Sequence, residues 1–195
     1  MTILNLLHIA ILLLLCGFLL RMIYKLWPLV RYARQPLPFI PISSKSAKTI
    51  AQLPELQGKQ KIVDLGCGRG HLLAAIRKHH PTTELFGVEY NSSLLTPYSL
   101  FFYKRKNITV THGDMFTYDI SQMDAIVGWW IPKFCERLLP KFVAECKPGC
   151  VIVSTMFPLP AHPRFTERVV QVGKERVYVY FITPPALRNS GHPPL

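Results

Sequence analysis

The chain reads as an α/β protein in which five parallel strands, wound with helices on both faces, are closed by an antiparallel hairpin, with one N-terminal transmembrane helix ahead of them. Three observations predict this. Short apolar runs alternate with helical stretches from Thr49 onward, two Val- and Tyr-rich runs flank Gly173-Lys174, and a long apolar run, Ile3–Leu20, opens the chain. A length of 195 residues accommodates one domain with a real core plus an appendage, and not two full domains.

The opening run ILNLLHIAILLLLCGFLL is interrupted only by Asn5 and His8. As a helix it extends about 27 Å, close to the hydrocarbon thickness of a bilayer. A cleaved signal peptide fits less well, because no Lys or Arg precedes the run and no small-x-small site follows it. A lipoprotein signal ending at Cys16 would need a small residue where Leu15 stands. A buried core helix would show a polar stripe, and this run is apolar all round. Arg21, Lys25, Arg31 and Arg34, with Tyr24, Trp27 and Tyr32 among them, form an aromatic belt with a positive flank, which predicts a single-pass membrane protein with the rest of the chain on the cytosolic or equivalent side.

The earliest acid is Glu55, and six of the cationic residues behind the formal net charge of +12 lie between Arg21 and Lys48. Anionic headgroups of a membrane lipid surface are their nearest partner, and no nucleic acid partner is expected. The organisation is an anchor and basic flank over 1–34, a proline-rich linker over 35–48, a folded domain over 49–185 and a tail over 186–195. The five cysteines, an odd number, face a reducing space apart from Cys16. Cys146 and Cys150 lack a second pair at zinc spacing, so no metal is assigned.

Taken in order, strands are expected at Lys61–Leu65, Glu84–Glu89, Ile108–His112, Ala125–Trp130 and Cys150–Phe157, with a hairpin of Arg168–Val172 and Arg176–Ile182. Helices are expected near Thr49–Leu53, His71–His80, Ser92–Lys104 and Pro132–Glu145. The linker is extended because its prolines exclude a helix.

The first strand runs into "KIVDLGCGRGHL". A dinucleotide loop needs a sixth-position glycine, and counting from Gly66 that position is His71; a Walker loop needs Gly-Lys-Ser/Thr, which is absent. The spacing is instead Asp64, Gly66, Gly68, Gly70. Bare backbone at the glycines can turn sharply and touch a ligand, while Asp64 supplies a fixed negative group, a combination suited to a cationic ligand carrying a nucleoside. Glu89, ending the next strand, can accept two hydrogen bonds from a ribose diol. Asp114 can accept from an adenine amine.

In this order and spacing, "VDLGCGRG", "GVEYN", "HGDMF" and "ECKPGCVIVS" resemble the class I S-adenosylmethionine-dependent methyltransferases. The resemblance implies a Rossmann-like seven-stranded methyltransferase sheet ending in an antiparallel hairpin, S-adenosyl-L-methionine as cofactor, and a cofactor site of Asp64, Gly66, Gly68, Gly70, Glu89, Asp114 and Met115. "PFIP" (Pro38–Pro41), "WWIP" (Trp129–Pro132) and "VIVSTMFPLP" (Val151–Pro160) are similar to the membrane-anchored lysine N-methyltransferases of the ATP synthase c-subunit and adenine nucleotide translocase type and their bacterial relatives. Arg69 departs from that family, which usually has Asp there.

Methyl transfer from a sulfonium asks the protein mainly to align donor and acceptor and to exclude water. A lysine acceptor must also lose a proton, since the free ammonium has a pKa of about 10.4. Trp129, Trp130 and Pro132 are the candidate acceptor pocket. Neighbouring strand residues point to opposite faces, so one tryptophan lines the channel and the other packs in the core. The same resemblance implies that Phe39 and Pro41 close over the site where the linker folds back. The Asp/Asn-Pro-Pro-Tyr signature of base and amide methylases is absent. The expected function is protein-lysine N-methylation of a membrane-associated protein. A lipid or small-amine methyltransferase and a non-catalytic membrane-tethered S-adenosylmethionine-binding module are the competing readings, the latter opposed by the intact acids and glycines.

Overall fold

The computed structural model describes residues 3–33, 41–97, 101, 103–104 and 106–183, and the chain divides into two units, Met1–Ile40 and Pro41–Leu195. Phe39, the linker residues before Pro41 and the tail over 186–195 lie outside the described residues, as do the side chains of Lys25, Trp27, Arg31 and Tyr32.

In the second unit the apolar runs become seven strands: β1 (Lys61–Leu65), β2 (Glu84–Glu89), β3 (Ile108–His112), β4 (Ala125–Trp129), β5 (Val151–Thr155), β6 (Phe165–Val172) and β7 (Glu175–Ile182). Their spatial order is β3-β2-β1-β4-β5-β7-β6. The first five are parallel, β7 is antiparallel to β5, and β6 pairs with β7 across the Gly173-Lys174 turn, with Val172 opposite Glu175. After β3 the chain crosses to the far side of β1, so the loops leaving β1 and β4 part in opposite directions. Such a switch point opens a crevice at the carboxyl ends of the strands.

Alternation along the strands divides the core in two. Ile62, Val127, Val153 and Val179 face helices α2 (Ser44–Ala51) and α3 (His71–His79), while Val63, Ile126, Ile152 and Tyr178 face a helix over Pro132–Glu145, here called α4. Numbering begins with α1 (Ile3–Ala33), described below.

Several boundaries differ from expectation. Helix α2 starts at Ser44, inside the predicted linker, because the Ser43 hydroxyl caps it by accepting the Ser46 N–H at 3.1 Å and Ala47, Ile50 and Ala51 bury against the sheet. The predicted helix Ser92–Lys104 is broken: Ser92–Leu94 is a 3₁₀ turn and helix resumes at Pro97. Proline supplies no N–H and disfavours helical backbone before it. Trp130 lies past the end of β4, and β5 stops at Thr155 because Met156 has φ of +77° and turns its N–H onto the Arg176 carbonyl at 2.7 Å. Both hairpin strands are longer than predicted, since eight cross-strand pairs form between them.

The first unit contains α1, a helix of 31 residues. It runs beyond the apolar stretch into the basic flank, so its length exceeds that of the predicted span. Among the described residues, no helix is long and apolar enough to cross a membrane. The transmembrane expectation is therefore corrected to a helix with an exposed apolar surface: Leu12 to Leu15 and Phe18 to Leu20 are each more than half exposed. Cys16 on this helix is exposed, and Cys67, Cys135, Cys146 and Cys150 are buried free thiols.

Candidate active site

Strand β1 ends by carrying Asp64 into the interior, where it is 4% exposed. The loop that follows is tied to the next strand by its own backbone: the N–H groups of Gly66 and Cys67 both donate to the Val88 carbonyl, at 2.8 and 3.0 Å, and the Gly70 N–H donates to the Cys67 carbonyl at 2.8 Å. Gly66, Gly68 and Gly70 have φ of 89°, 54° and 70°, left-handed backbone that explains their residue type. Glu89, at the end of β2, is buried beneath this loop. Its Oε2 accepts the Gly68 N–H at 2.8 Å and its Oε1 accepts the Asn91 N–H at 2.7 Å.

Two buried carboxyl groups thus meet under the loop with unequal support. Each Glu89 oxygen has a backbone donor, whereas Asp64 accepts no side-chain hydrogen bond among the described residues. Burial, reinforced by the charge of Glu89, pushes the Asp64 carboxyl up to about 8. The same surroundings push the Cys67 thiol up, through burial first and the charges of Asp64 and Glu89 second. A pair of acids with one unsupported member fits a ligand that brings positive charge. The space above Gly66 fits as well, for a Cβ there would meet only the Met115 Sδ, at 4.0 Å.

Of the other predicted cofactor residues, Met115 is half-buried beside Gly66. Asp114 is exposed and forms a turn, its Oδ1 accepting the Phe116 N–H at 2.9 Å. Arg69 is exposed on the loop.

The two tryptophans separate. Trp130 is 1% exposed, packs on Phe142 with ring centres 5.5 Å apart, and donates its indole N–H to the Leu65 carbonyl at 2.8 Å. A Cβ on Gly128 would lie 2.5 Å from that indole, so glycine at 128 makes room for it. Trp130 is thereby the packing member of the pair, and the expectation that it walls the acceptor channel passes to Trp129. Trp129 is half-buried at the end of β4 and meets Phe157 edge-on at 5.8 Å. Pro132 is exposed in the first turn of α4, and Pro41 is exposed ahead of α2.

Two residues were silent in the sequence. Tyr103, buried at 2% exposure, donates its hydroxyl to the Gly68 carbonyl at 2.8 Å. Thr155, the register neighbour of Trp129 on β5, is fully buried, and its Oγ1 has no hydrogen-bond partner among the described residues. Neither belongs to a local motif; only the tertiary neighbours distinguish them. A cavity of about 480 Å³, between the β5–β6 connection and the hairpin, is lined by Leu159, His162, Phe165, Glu167 and Tyr180 and shares no residue with the glycine loop or with Trp129.

The stretch from Asp64 to Phe165, which holds the loop, both acids and the tryptophans, matches the model of the ANTKMT methyltransferase domain over residues 64–165. The chain belongs to this methyltransferase family. S-adenosyl-L-methionine is accordingly its methyl donor, and the chemistry that this group supplies is a methyl carried on a sulfonium. A protein-lysine N-methyltransferase of Saccharolobus islandicus is 25% identical to the methyltransferase over 127 residues, 63% of this chain and 78% of that protein. Among solved structures, an RNA methyltransferase from Salinibacter ruber in complex with S-adenosyl-L-homocysteine superposes with a TM-score of 0.61 at 22% identity, over 77% of this chain and 97% of that one. The mitomycin 7-O-methyltransferase MmcR superposes with a TM-score of 0.60 at 15% identity, over 72% of this chain and 54% of its own. At these identities the two structures share the fold with the methyltransferase.

Proposed function

We propose that the protein is a protein-lysine N-methyltransferase that works at a membrane surface on a membrane-associated protein. The observation that carries the acceptor class is the aromatic edge formed by Trp129 and Phe157 where β4 and β5 open onto the crevice. An aromatic face receives an ammonium and its methylated products alike. A half-buried position beside a cationic donor lowers the pKa of an incoming lysine, which supplies the lone pair that attack requires. The lysine nitrogen forms a bond to the methyl carbon as the carbon–sulfur bond breaks, and the proton lost beforehand goes to solvent. The name of the archaeal relative supports the same acceptor class.

Membrane association rests on α1. Its exposed Leu12 to Leu15 and Phe18 to Leu20 need a nonaqueous partner, and Arg21 and the cations after it favour anionic headgroups. Two partners held on one bilayer meet at raised effective concentration. The test is incubation of the full chain with methyl-labelled S-adenosylmethionine and membranes, followed by mass spectrometry of proteins and lipids. Label on lysine of a membrane protein is the expected result. Label confined to lipid or small amines would replace this reading with the second enzymatic one, and bound donor without turnover would leave only a binding module.

A further inference from the structure

We propose that Tyr103 is a cofactor-positioning residue, which latches the glycine loop into its binding shape from below before the methyl donor arrives. Three observations converge on it. The Tyr103 hydroxyl donates to the Gly68 carbonyl at 2.8 Å, while the Glu89 carboxylate accepts the N–H of the same residue at 2.8 Å. Both polar groups of one glycine are therefore held by side chains from outside the loop. The Tyr103 ring also occupies the place of a side chain at position 70: a Cβ on Gly70 would lie 2.1 Å from its Cε1 and 3.0 Å from its Cζ and hydroxyl. Gly70 and Tyr103 are one choice made at two positions, and the ring is buried.

The physical reason for such a latch is the freedom of glycine. Three left-handed glycines within five residues would sample many shapes in a free loop, and ordering them on binding would weaken affinity. Pinning Gly68 on both sides moves that ordering cost into folding. Tyr103 acts on the ligand through the Gly68 backbone, and it lies in the connection between β2, which ends in Glu89, and β3. This inference rests on the family's cofactor and not on the proposed lysine acceptor.

The test combines two measurements on the full-length protein. Calorimetric titration with S-adenosyl-L-homocysteine should give a dissociation constant about five- to twenty-fold weaker for Tyr103→Phe than for the wild type, the effect of one lost hydrogen bond and an unpaired carbonyl. Hydrogen exchange on the cofactor-free wild type should show the amides of Gly66, Cys67, Gly68 and Gly70 protected, and in Tyr103→Phe these amides should open while those of β5 and β7 keep their protection. A purely structural tyrosine would not produce that local pattern. Binding within twofold of the wild type by Tyr103→Phe overturns the proposal. So does free exchange of the wild-type loop amides, a result that needs no variant. A wild type that binds no S-adenosyl-L-homocysteine would instead fail at the cofactor assignment, which the same titration reads separately.

Discussion

At the carboxyl edge of the sheet, the side over β1 and β2 and the side over β4 and β5 are made of opposite materials. The first holds two buried acids and a loop whose backbone polar groups are engaged by Val88, Glu89 and Tyr103. The second presents Trp129 and Phe157, with a buried Thr155 hydroxyl that has no hydrogen-bond partner among the described residues. A donor that is always the same molecule favours directed hydrogen bonds and fixed charge; an acceptor that must shed a proton favours an apolar, cation-tolerant wall. On the proposed function, the difference makes donor recognition and acceptor recognition separable, and variants should split them.

The largest effect is expected for Glu89→Ala, which strips the acceptor from the Gly68 and Asn91 N–H groups and removes the proposed ribose partner. With each hydrogen bond to a charged group contributing about 1.5–3 kcal/mol, cofactor affinity should fall at least about a hundredfold by calorimetry. Affinity equal to the wild type would refute the ribose role. Trp129→Ala should lower kcat/KM for the protein acceptor by about ten- to fiftyfold, in the range of a lost aromatic contact to a desolvated cation. Its affinity for S-adenosyl-L-homocysteine should stay within twofold; a parallel loss would show that the two sides are not separable.

Next comes pH. The Asp64 carboxyl is pushed up to about 8 in the folded chain, whereas an unfolded chain gives up that proton near pH 4. Between these values the folded state binds more protons than the unfolded one, so this group makes the cofactor-free protein less stable as pH rises from about 4 to 8. Denaturation of Asp64→Asn should show a flatter pH dependence over that window. With the donor's positive charge beside Asp64, as proposed, binding near neutral pH should release a proton, measurable as a dependence of calorimetric heat on the ionisation enthalpy of the buffer. The smallest effect belongs to Trp130→Phe, which loses the indole bond to the Leu65 carbonyl and should cost about 1 kcal/mol of stability with methyl transfer intact.

Legibility in the sequence follows the same division. Asp64, Gly66, Gly68 and Gly70 are contiguous, so their spacing alone carries the loop, and Glu89 is reachable because a strand ending beside another strand has few places to be. Tyr103 and Thr155 were invisible because their roles come from partners distant in sequence, Gly70 for one and the end of β4 for the other. Alternation predicted opposite faces for Trp129 and Trp130, yet the choice between them needed the position of Phe142 on α4. The helix expected over Ser92–Lys104 breaks at Leu95 and Thr96, just ahead of Pro97, because a proline disfavours helical backbone at the residue before it. The hairpin was read correctly in kind and too short in length, since strand ends depend on pairing that composition does not carry.

The distribution of thiols has a practical consequence. Four cysteines are shielded inside the second unit, and Cys16 stands exposed among the leucines of α1. Under native conditions a maleimide therefore has one address on this protein. A polarity-sensitive fluorophore attached there reports directly on the surroundings of α1: a blue shift on addition of anionic vesicles marks entry into acyl chains, and an unchanged spectrum marks a helix that stays in water.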